Sequence, residues 1–289
     1  HSRPRICFHK DITGKEITTV LQKRVRELPN VTVMEFTAMT DILVSGGACT
    51  GMIAKTEKGE ILHIHTRDTV MATGGIGGLY EHSTNFPCLT GDALAIAKKY
   101  GVELENMDYV QIHPTSLYSE KPGRSFLISE SARGEGAVLL NGRGERFVDE
   151  LLPRDVVTKA IHAEMEREGS RHVWLSFEPV GEAQIRNHFP NIYRRCLEEG
   201  YDITKEPIPV VPAQHYFMGG IHVDCNSRTT MDHLYAVGET SCNGVHGKNR
   251  LASNSLLESL VFAQRAAASM AEGRKGSIKY ESNYHAACC

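Results

Sequence analysis

The sequence predicts a mixed α/β fold in which an inserted segment interrupts an α/β domain. Helix-like and strand-like patterns alternate over residues 1–105, histidine, proline and arginine become common over 106–218, and the alternation returns over 219–275. Residues 276–289 are predicted to form a tail. Because the chain opens at His1 without a methionine, we expect it to be a fragment of a longer protein.

The composition indicates a globular chain with no preference for polyanions. Of its 289 residues, 41% are hydrophobic and 23% are charged, and the formal net charge is −3. Neither nucleic acid nor an anionic membrane surface is therefore expected as a partner. No apolar run approaches the roughly 18 residues that span a bilayer. The eight cysteines include no CxxC pair, which argues against a structural metal and favours a reducing, cytoplasmic location.

The first α/β segment is predicted from local periodicity. Apolar side chains recur at helical spacing over 16–28, and a strand is predicted over 31–36. Two strands joined by a glycine turn fit 40–54, and a hairpin arm that continues into a buried strand fits 60–73. Residues 90–104 then fit a helix that ends at a glycine.

Later elements follow the same reasoning. Residues 151–169 fit a helix with Pro153 at its start and Gly169 at its end, the residues preferred at those two positions. A second helical stretch is predicted over 182–202. A short buried strand, stopped by glycine, is predicted over 233–239.

A crowded polar segment precedes the last helix. Ser255 and Glu258 fit a capping box, and the following apolar side chains predict a buried stripe, formed by Leu256, Leu257, Leu260 and Val261. The pattern alone equally fits an ordinary capped core helix. A helix start also suits an anion or an electron-rich ligand. Arg250 favours a ligand, because a guanidinium beside a buried helix start needs a partner, and a carboxylate is its natural one.

Glycines and carboxylates mark places where a cofactor could lie. A glycine-rich loop follows a predicted strand and would let the backbone approach a cofactor, although a tight turn also explains it; its residues are Ala72, Thr73, Gly74 and Gly75. Asp92 opens a helix, where capping is an equal explanation. Glu239 ends a strand, at the edge where open α/β sheets bind ligands, and could accept from ribose hydroxyls.

Histidines and an arginine in apolar surroundings suggest a second site. His113 and His215 lie in segments too apolar for surface loops, although each alone is more often a core histidine. Arg154 opens a helix, where its charge opposes the helix dipole, so a surface ion pair or a ligand must place it there. Together these side chains suggest a dicarboxylate site.

Six motifs in register resemble the succinate dehydrogenase/fumarate reductase flavoprotein family. They are "HPTSLY", "LISESARGEGAVLLNGRGERF", "PRDVV", "PAQHYFMGGIHVD", "LYAVGE" and "HGKNRLASNSLLE", and the resemblance runs from about residue 1 to 272. It implies a partial FAD-binding Rossmann-like α/β domain with an inserted α+β capping domain. The family's GxGxxG fingerprint would lie upstream of His1, and its C-terminal helical domain is not in the sequence.

The resemblance also implies residue roles. Arg154 matches the proton-shuttling arginine of the active site. The family positions that bind the substrate carboxylates correspond to His113, Ser129, Glu130, His215 and Arg250. The family positions that contact non-covalently bound FAD correspond to Asp92, Glu239, Ser255 and Leu256. The backbone at Ala38 and Met39 is expected to lie near the adenine of FAD.

Two features favour the aspartate-oxidising branch of the family. They are the "ASNSLLE" motif and the short connection between "MGGI" and "LYAVGE". The implied reaction oxidises L-aspartate to iminoaspartate for NAD biosynthesis, with O2 or fumarate as electron acceptor and quinolinate synthase as a protein partner. The alternatives are a fumarate reductase or succinate dehydrogenase flavoprotein subunit, or an inactive fragment that acts only as an interaction module.

Overall fold

The computed structural model describes residues 8–273 and confirms a mixed α/β architecture; the predicted tail over 276–289 lies outside this range. The chain forms two compact units. Unit 1 contains the described residues up to 33 together with 77–88 and 111–215, and unit 2 contains 34–76, 89–110 and the described residues from 216 onward. No helix within 8–273 is long and apolar enough to cross a bilayer.

The helices and strands of this part of the chain are numbered in sequence order. The helices are α1 (Thr13–Arg26), α2 (Asp92–Lys99), α3 (Glu130–Gly134), α4 (Arg154–Glu168), α5 (Glu182–His188), α6 (Pro190–Glu198) and α7 (Asn254–Glu272). The strands are β1 (Thr37–Ser45), β2 (Ala48–Thr56), β3 (Ile61–His65), β4 (Thr69–Met71), β5 (Leu104–Glu105), β6 (Val110–Leu117), β7 (Phe126–Leu127), β8 (Val138–Leu140), β9 (Val173–Ser176), β10 (Ile208–Phe217), β11 (Gly220–His222), β12 (Leu234–Ala236) and β13 (Ser241–Cys242).

Unit 1 is organised around a five-stranded sheet in the order β7–β6–β10–β9–β8. The central strand β10 is apolar and buried along most of its length, as expected for a strand with neighbours on both sides. Helix α4 starts after Pro153 and ends at Gly169 with φ 64°, as predicted. It packs Val157 and Ile161 into the unit's core, and both side chains are 0% exposed.

The helical prediction over 182–202 is confirmed, but the stretch contains two helices. Pro190 opens α6 directly after α5, because proline lacks the N–H that would continue the first helix. The N-terminus of α6 is capped from a distant part of unit 1. The Asp11 carboxylate accepts hydrogen bonds from the backbone N–H groups of Asn191 at 2.9 Å and Ile192 at 3.2 Å.

Unit 2 contains three small sheets. Strands β1, β2 and β3 form an antiparallel meander, β13–β11–β5 form a second sheet, and β4 pairs in parallel with β12. Helix α2 buries Ala93, Leu94 and Ala97 against these strands. The two strands joined by a turn over 40–54 and the strand over 233–239 are confirmed. The arm predicted over 60–73 is confirmed as β3, which pairs with β2, but the following strand β4 is separate and lies in a different sheet.

The strand predicted over 31–36 is wrong. This segment has no strand partner, and its apolar side chains are exposed, with Val33 at 53% and Phe36 at 76%. Phe36 has φ 52°, which ends any extended conformation immediately before β1. A β-branched pattern alone does not form a strand when no neighbouring strand supplies hydrogen bonds.

Two expectations for α7 are also wrong. The helix is capped by Ser253, which has φ 64° and no side-chain capping bond, so Ser255 and Glu258 do not form a capping box. Leu257, Leu260 and Val261 are 60%, 44% and 44% exposed. The buried face is offset by one residue and consists of Glu258, Phe262, Ala266 and Ser269. Its small residues let the helix approach Tyr235 and Val237 of unit 2.

Candidate functional site

Unit 1 brings together four of the residues predicted to bind a dicarboxylate. His113 on β6 and His215 on β10 lie in adjacent strands, with ring centroids 5.2 Å apart in an edge-to-face arrangement. Arg154 opens α4 and pairs with Glu130, which opens α3. These four side chains come from four different elements, so no short sequence motif could have shown that they converge.

The Arg154 guanidinium donates three hydrogen bonds to two acceptor oxygens, an arrangement called here the Arg154–Glu130–Gln111 fork. Its Nε donates to Glu130 Oε2 at 2.7 Å, its Nη2 donates to the same oxygen, and its Nη1 donates to Gln111 Oε1 at 2.8 Å. The arginine side chain is 9% exposed and that of Glu130 is 42% exposed. The pair therefore reaches from a buried position towards solvent, and its geometry depends on the planar guanidinium.

The two histidines sit in an electropositive environment. Burial holds the pKa of His113 well below its ordinary value, and the nearby charges of His215, Arg154 and Arg133 lower it further. The backbone N–H of Thr115 lies 3.2 Å from Nδ1 of this imidazole. His215 is half-buried, and its Nδ1 lies 2.7 Å from the Thr84 hydroxyl. A buried neutral imidazole near cationic groups can donate a hydrogen bond to an anion without adding a further buried charge.

The sequence did not predict two residues of this cluster, Gln111 and Arg133. Gln111 is 4% exposed and Arg133 is 3% exposed. Arg133 Nη1 donates to the Glu150 carbonyl at 2.6 Å, whereas its Nε and Nη2 have no hydrogen-bond partner among residues 8–273. Its position three residues after Glu130, on the same short helix, is the only signal in the sequence that could have indicated it.

Ser129 lies next to this cluster but is engaged locally. It is the N-cap of α3, and its side chain accepts from the Ser131 N–H at 3.3 Å. Its hydroxyl also lies 2.7 Å from that of Ser131. The predicted role of Ser129 in carboxylate binding therefore stays a prediction.

Unit 2 places the glycine-rich loop and Glu239 at one sheet edge. The loop from Ala72 to Gly75 follows β4, and Glu239 follows β12, so both lie at the carboxyl ends of two parallel strands. Thr73 and Thr240 join these ends through hydroxyls 2.9 Å apart. A Cβ at Gly75 would lie 2.5 Å from Glu239 Oε1, so only glycine fits at this position without displacing the carboxyl.

The Glu239 carboxyl has an unusual environment. Its Oε1 accepts from the Phe217 backbone N–H at 2.9 Å. Burial raises the pKa of Glu239 to about 7; the Phe217 N–H and the Arg250 charge oppose the shift, and Glu258 adds to it. A carboxyl of this kind is a hydrogen-bonding group that changes protonation near neutral pH.

Other predicted cofactor residues occupy separate parts of unit 2. Asp92 is the first residue of α2, and its Oδ1 accepts from the Thr90 hydroxyl at 2.9 Å. Ala38 and Met39 lie in β1, where Ala38 is exposed and Met39 packs on the core.

Arg250 precedes α7 and is 5% exposed. Its Nη1 lies 3.2 Å from the Leu251 carbonyl and 3.3 Å from the Ser255 hydroxyl, and its guanidinium carbon lies 4.6 Å from the centroid of the Tyr216 ring. Leu256 is half-buried one residue after Ser255, in the first turn of α7. The polar segment therefore lies against the start of α7.

The sheet edge in unit 2 has the features that a bound dinucleotide needs. Ala72 and Thr73 are exposed at the ends of the parallel strands, Gly74 follows with φ 73°, and Glu239 supplies a carboxyl acceptor beside the loop. The residues present therefore fit FAD. No group of three or more metal-ligating side chains occurs within the part of the chain that the structure describes.

Comparison with known proteins agrees with this fit. The L-aspartate oxidase of Clostridium perfringens is 53% identical over 268 residues, which is 92% of this chain and 61% of that protein. The enzyme of the same name from Neisseria meningitidis is 43% identical over 95% of this chain and 56% of its own length. The chain thus spans about three fifths of the length of the curated relatives it matches.

Solved structures lead to the same family. E. coli quinol fumarate reductase superposes with a TM-score of 0.84 at 34% identity, over 94% of this chain and 51% of that one. Mycobacterium smegmatis Sdh1 superposes with a TM-score of 0.76 at 33% identity, over 96% of this chain and 50% of that one. These matches confirm the resemblance inferred from the six motifs. Residues 1–256 match the FAD binding domain family, and the chain therefore belongs to that family and has FAD as its cofactor.

Proposed function

We propose that this chain is part of an enzyme that oxidises L-aspartate to iminoaspartate. The observation that carries the proposal is the Arg154–Glu130–Gln111 fork beside the His113–His215 pair. Cationic and neutral donors arranged in this way bind carboxylates. The relatives that share 43–53% identity bear the name L-aspartate oxidase, which favours an amino dicarboxylate as the substrate.

FAD, when bound, supplies a two-electron acceptor for the substrate's Cα–H bond. The chain's own residues bind and orient the substrate and transfer its protons. His113 and His215 donate hydrogen bonds to a substrate carboxylate, and Arg154 adds a buried positive charge. Arg154 is also the proposed proton shuttle, because its Nη2 proton already faces Glu130 Oε2. The half-exposed Glu130 carboxylate can pair with the substrate ammonium group.

Arg250 remains a proposed substrate-binding residue on the evidence of its own surroundings. Its guanidinium contacts the Tyr216 ring face, the Leu251 carbonyl and the Ser255 hydroxyl. A guanidinium presents a planar, forked set of donors, which suits a carboxylate.

Several finer assignments belong to the same proposal. We assign 1–105 and 219–275 to a Rossmann-like FAD domain and 106–218 to an inserted capping domain; the compact units divide the chain differently, since the described residues up to 33 and 77–88 group with 111–215. The parallel β4–β12 pair supports the first assignment, and the antiparallel five-stranded sheet with its helices supports the second. A cytoplasmic location is supported by free thiols at all five described cysteines. O2 or fumarate would take the electrons. Quinolinate synthase is the proposed partner, since an imine hydrolyses in water unless it is consumed quickly.

A second candidate is a fumarate reductase or succinate dehydrogenase flavoprotein. The fumarate reductase superposition favours it, and the same cationic cluster would bind succinate. The two candidates differ in whether the substrate must carry an amine. An inactive interaction module is the third possibility and would oxidise neither compound.

Anaerobic reduction of the FAD-loaded protein separates the three candidates. L-aspartate should bleach the flavin absorbance, D-aspartate should not, and peroxide should form when air is admitted. Faster bleaching by succinate than by L-aspartate would assign the chain to the second candidate. No bleaching by either compound, with FAD bound and the protein folded, would contradict both enzymatic proposals.

A further inference from the structure

The loop between β13 and α7 carries Arg250 and is tied to the helix by one buried carboxyl. Glu258 lies one turn into α7, and its side chain is 1% exposed. Its Oε1 accepts from Asn243 Nδ2, at the start of the loop, and its Oε2 lies 3.3 Å from the Ser259 hydroxyl. Asn243 Oδ1 in turn accepts from the Val245 N–H at 3.1 Å. One carboxyl thus fixes the conformation of the loop's first turn.

His246 connects this carboxyl to an aromatic ring. Its side chain is 6% exposed, and its Nε2 lies 3.9 Å from Glu258 Oε2. Neither ring nitrogen has a hydrogen-bond partner within residues 8–273. The imidazole stands at 90° to the Tyr216 ring, with centroids 5.4 Å apart. Its position is therefore set by the carboxyl on one side and by the aromatic ring on the other.

Tyr216 presents its ring to Arg250. The guanidinium carbon lies 4.6 Å from the ring centroid, within the range of a cation–π contact. Both side chains are at least nine-tenths buried. Glu258, His246, Tyr216 and Arg250 hence form a continuous row of contacts, all within unit 2.

We propose that Glu258 is a positioning residue that holds Arg250 in its substrate-binding orientation through His246 and Tyr216. This inference rests on the proposed role of Arg250. A buried carboxyl is costly to desolvate, and a purely apolar side chain would pack the same face of α7 at lower cost. A leucine could not replace the carboxyl in this row of contacts, because only a hydrogen-bond acceptor can bind the Asn243 side chain and lie against the His246 ring.

A double-mutant cycle in the FAD-loaded protein tests the coupling. Glu258→Ala should raise KM for L-aspartate about tenfold and change kcat little, an effect within the range seen for residues in one network. In an Arg250→Leu background the same substitution should change KM less than about twofold, because the residue through which it acts is gone. Glu258→Gln keeps an acceptor for Asn243 and should restore most of the affinity. Glu272→Ala, on the exposed end of the same helix, is the matched control.

A crystal structure of Glu258→Ala provides a readout that does not depend on activity. The guanidinium of Arg250 should leave the face of Tyr216. An unmoved Arg250, or equal KM effects of Glu258→Ala with and without Arg250, would overturn the inference even if L-aspartate is the substrate. An inactive wild-type protein would instead contradict the proposed function, while the crystal structure would still decide the positioning role. If Glu258→Ala does not fold, His246→Ala removes the next member of the row and must displace Arg250 from the face of Tyr216 in the same way.

Discussion

Replacing Arg154 by lysine keeps a positive charge at the start of α4 but removes the planar fork. The arginine makes three hydrogen bonds, two to Glu130 Oε2 and one to Gln111 Oε1. A single ammonium group cannot reach both acceptors in that geometry, so we expect the loss of two charge-assisted bonds, each worth about 1.5–3 kcal/mol. Because Glu130 is 42% exposed, solvent weakens these bonds and the lower end of the range applies, about 3 kcal/mol.

These bonds hold the guanidinium in place, so their loss misplaces the proposed proton donor; we expect kcat to fall about 10²-fold, the lower end of the range of roughly 10²–10⁴-fold for general acid–base groups. Steady-state oxidation of L-aspartate measures it, with FAD content and thermal unfolding confirming that the variant is folded and loaded. Arg167→Lys is the matched control, since Arg167 lies on the same helix and pairs with Glu164 at a half-exposed position. A kcat within about twofold of wild type in folded, FAD-loaded Arg154→Lys would refute the assignment of the proton shuttle to this residue.

Three further substitutions test other parts of the structure. Gly75→Ala should displace Glu239, whose Oε1 would lie 2.5 Å from the new Cβ. We expect the free energy of unfolding to fall by about 1–3 kcal/mol and the FAD content to decrease. Gly14→Ala is the control and should be tolerated, because no atom lies within 4 Å of the new methyl group. The pKa of Glu239 is raised from 4.5 to about 7, so the protonated carboxyl stabilises the fold below pH 4.5, and this contribution to the free energy of unfolding, at most about 3 kcal/mol, is lost as the pH rises through 7. In urea unfolding of the FAD-free protein, Glu239→Gln should lose less stability than wild type over this pH window. The same pH dependence in both proteins would contradict the shift. Asp11→Ala should remove the cap of α6 and lower the free energy of unfolding by about 0.5–2 kcal/mol, whereas Glu16→Ala, on exposed α1, should not.

Local patterns in the sequence predicted most of the secondary structure because those elements depend on nearby residues. Pro153 and Gly169 bound α4 as expected, since their backbone preferences act within one turn. The glycine turn between β1 and β2 followed from the same kind of local chemistry. The strand predicted over 31–36 failed because extended structure needs a neighbouring strand, and no local pattern reports whether one is present.

The last helix shows a second limit. Its sequence offers two faces that differ by one residue, a leucine and valine face and a face with Glu258, Phe262 and Ala266. Hydrophobicity favours the first, yet the structure buries the second. Close approach to Tyr235 and Val237 needs small side chains, and a helix that packs this way can bury a glutamate provided that the carboxyl finds a partner such as Asn243.

The sequence by itself determined the family of this protein and its cofactor, because the types and order of the six motifs are specific, and it predicted which side chains bind carboxylates. Only the tertiary structure decided which of those side chains meet. His113, His215, Arg154 and Glu130 come from four elements whose convergence depends on the strand order of one sheet and on two helix starts. The structure alone shows the roles of Gln111, Arg133 and Asp11. Burial and long-range hydrogen bonds arise from packing, and no periodic pattern in the sequence reports them.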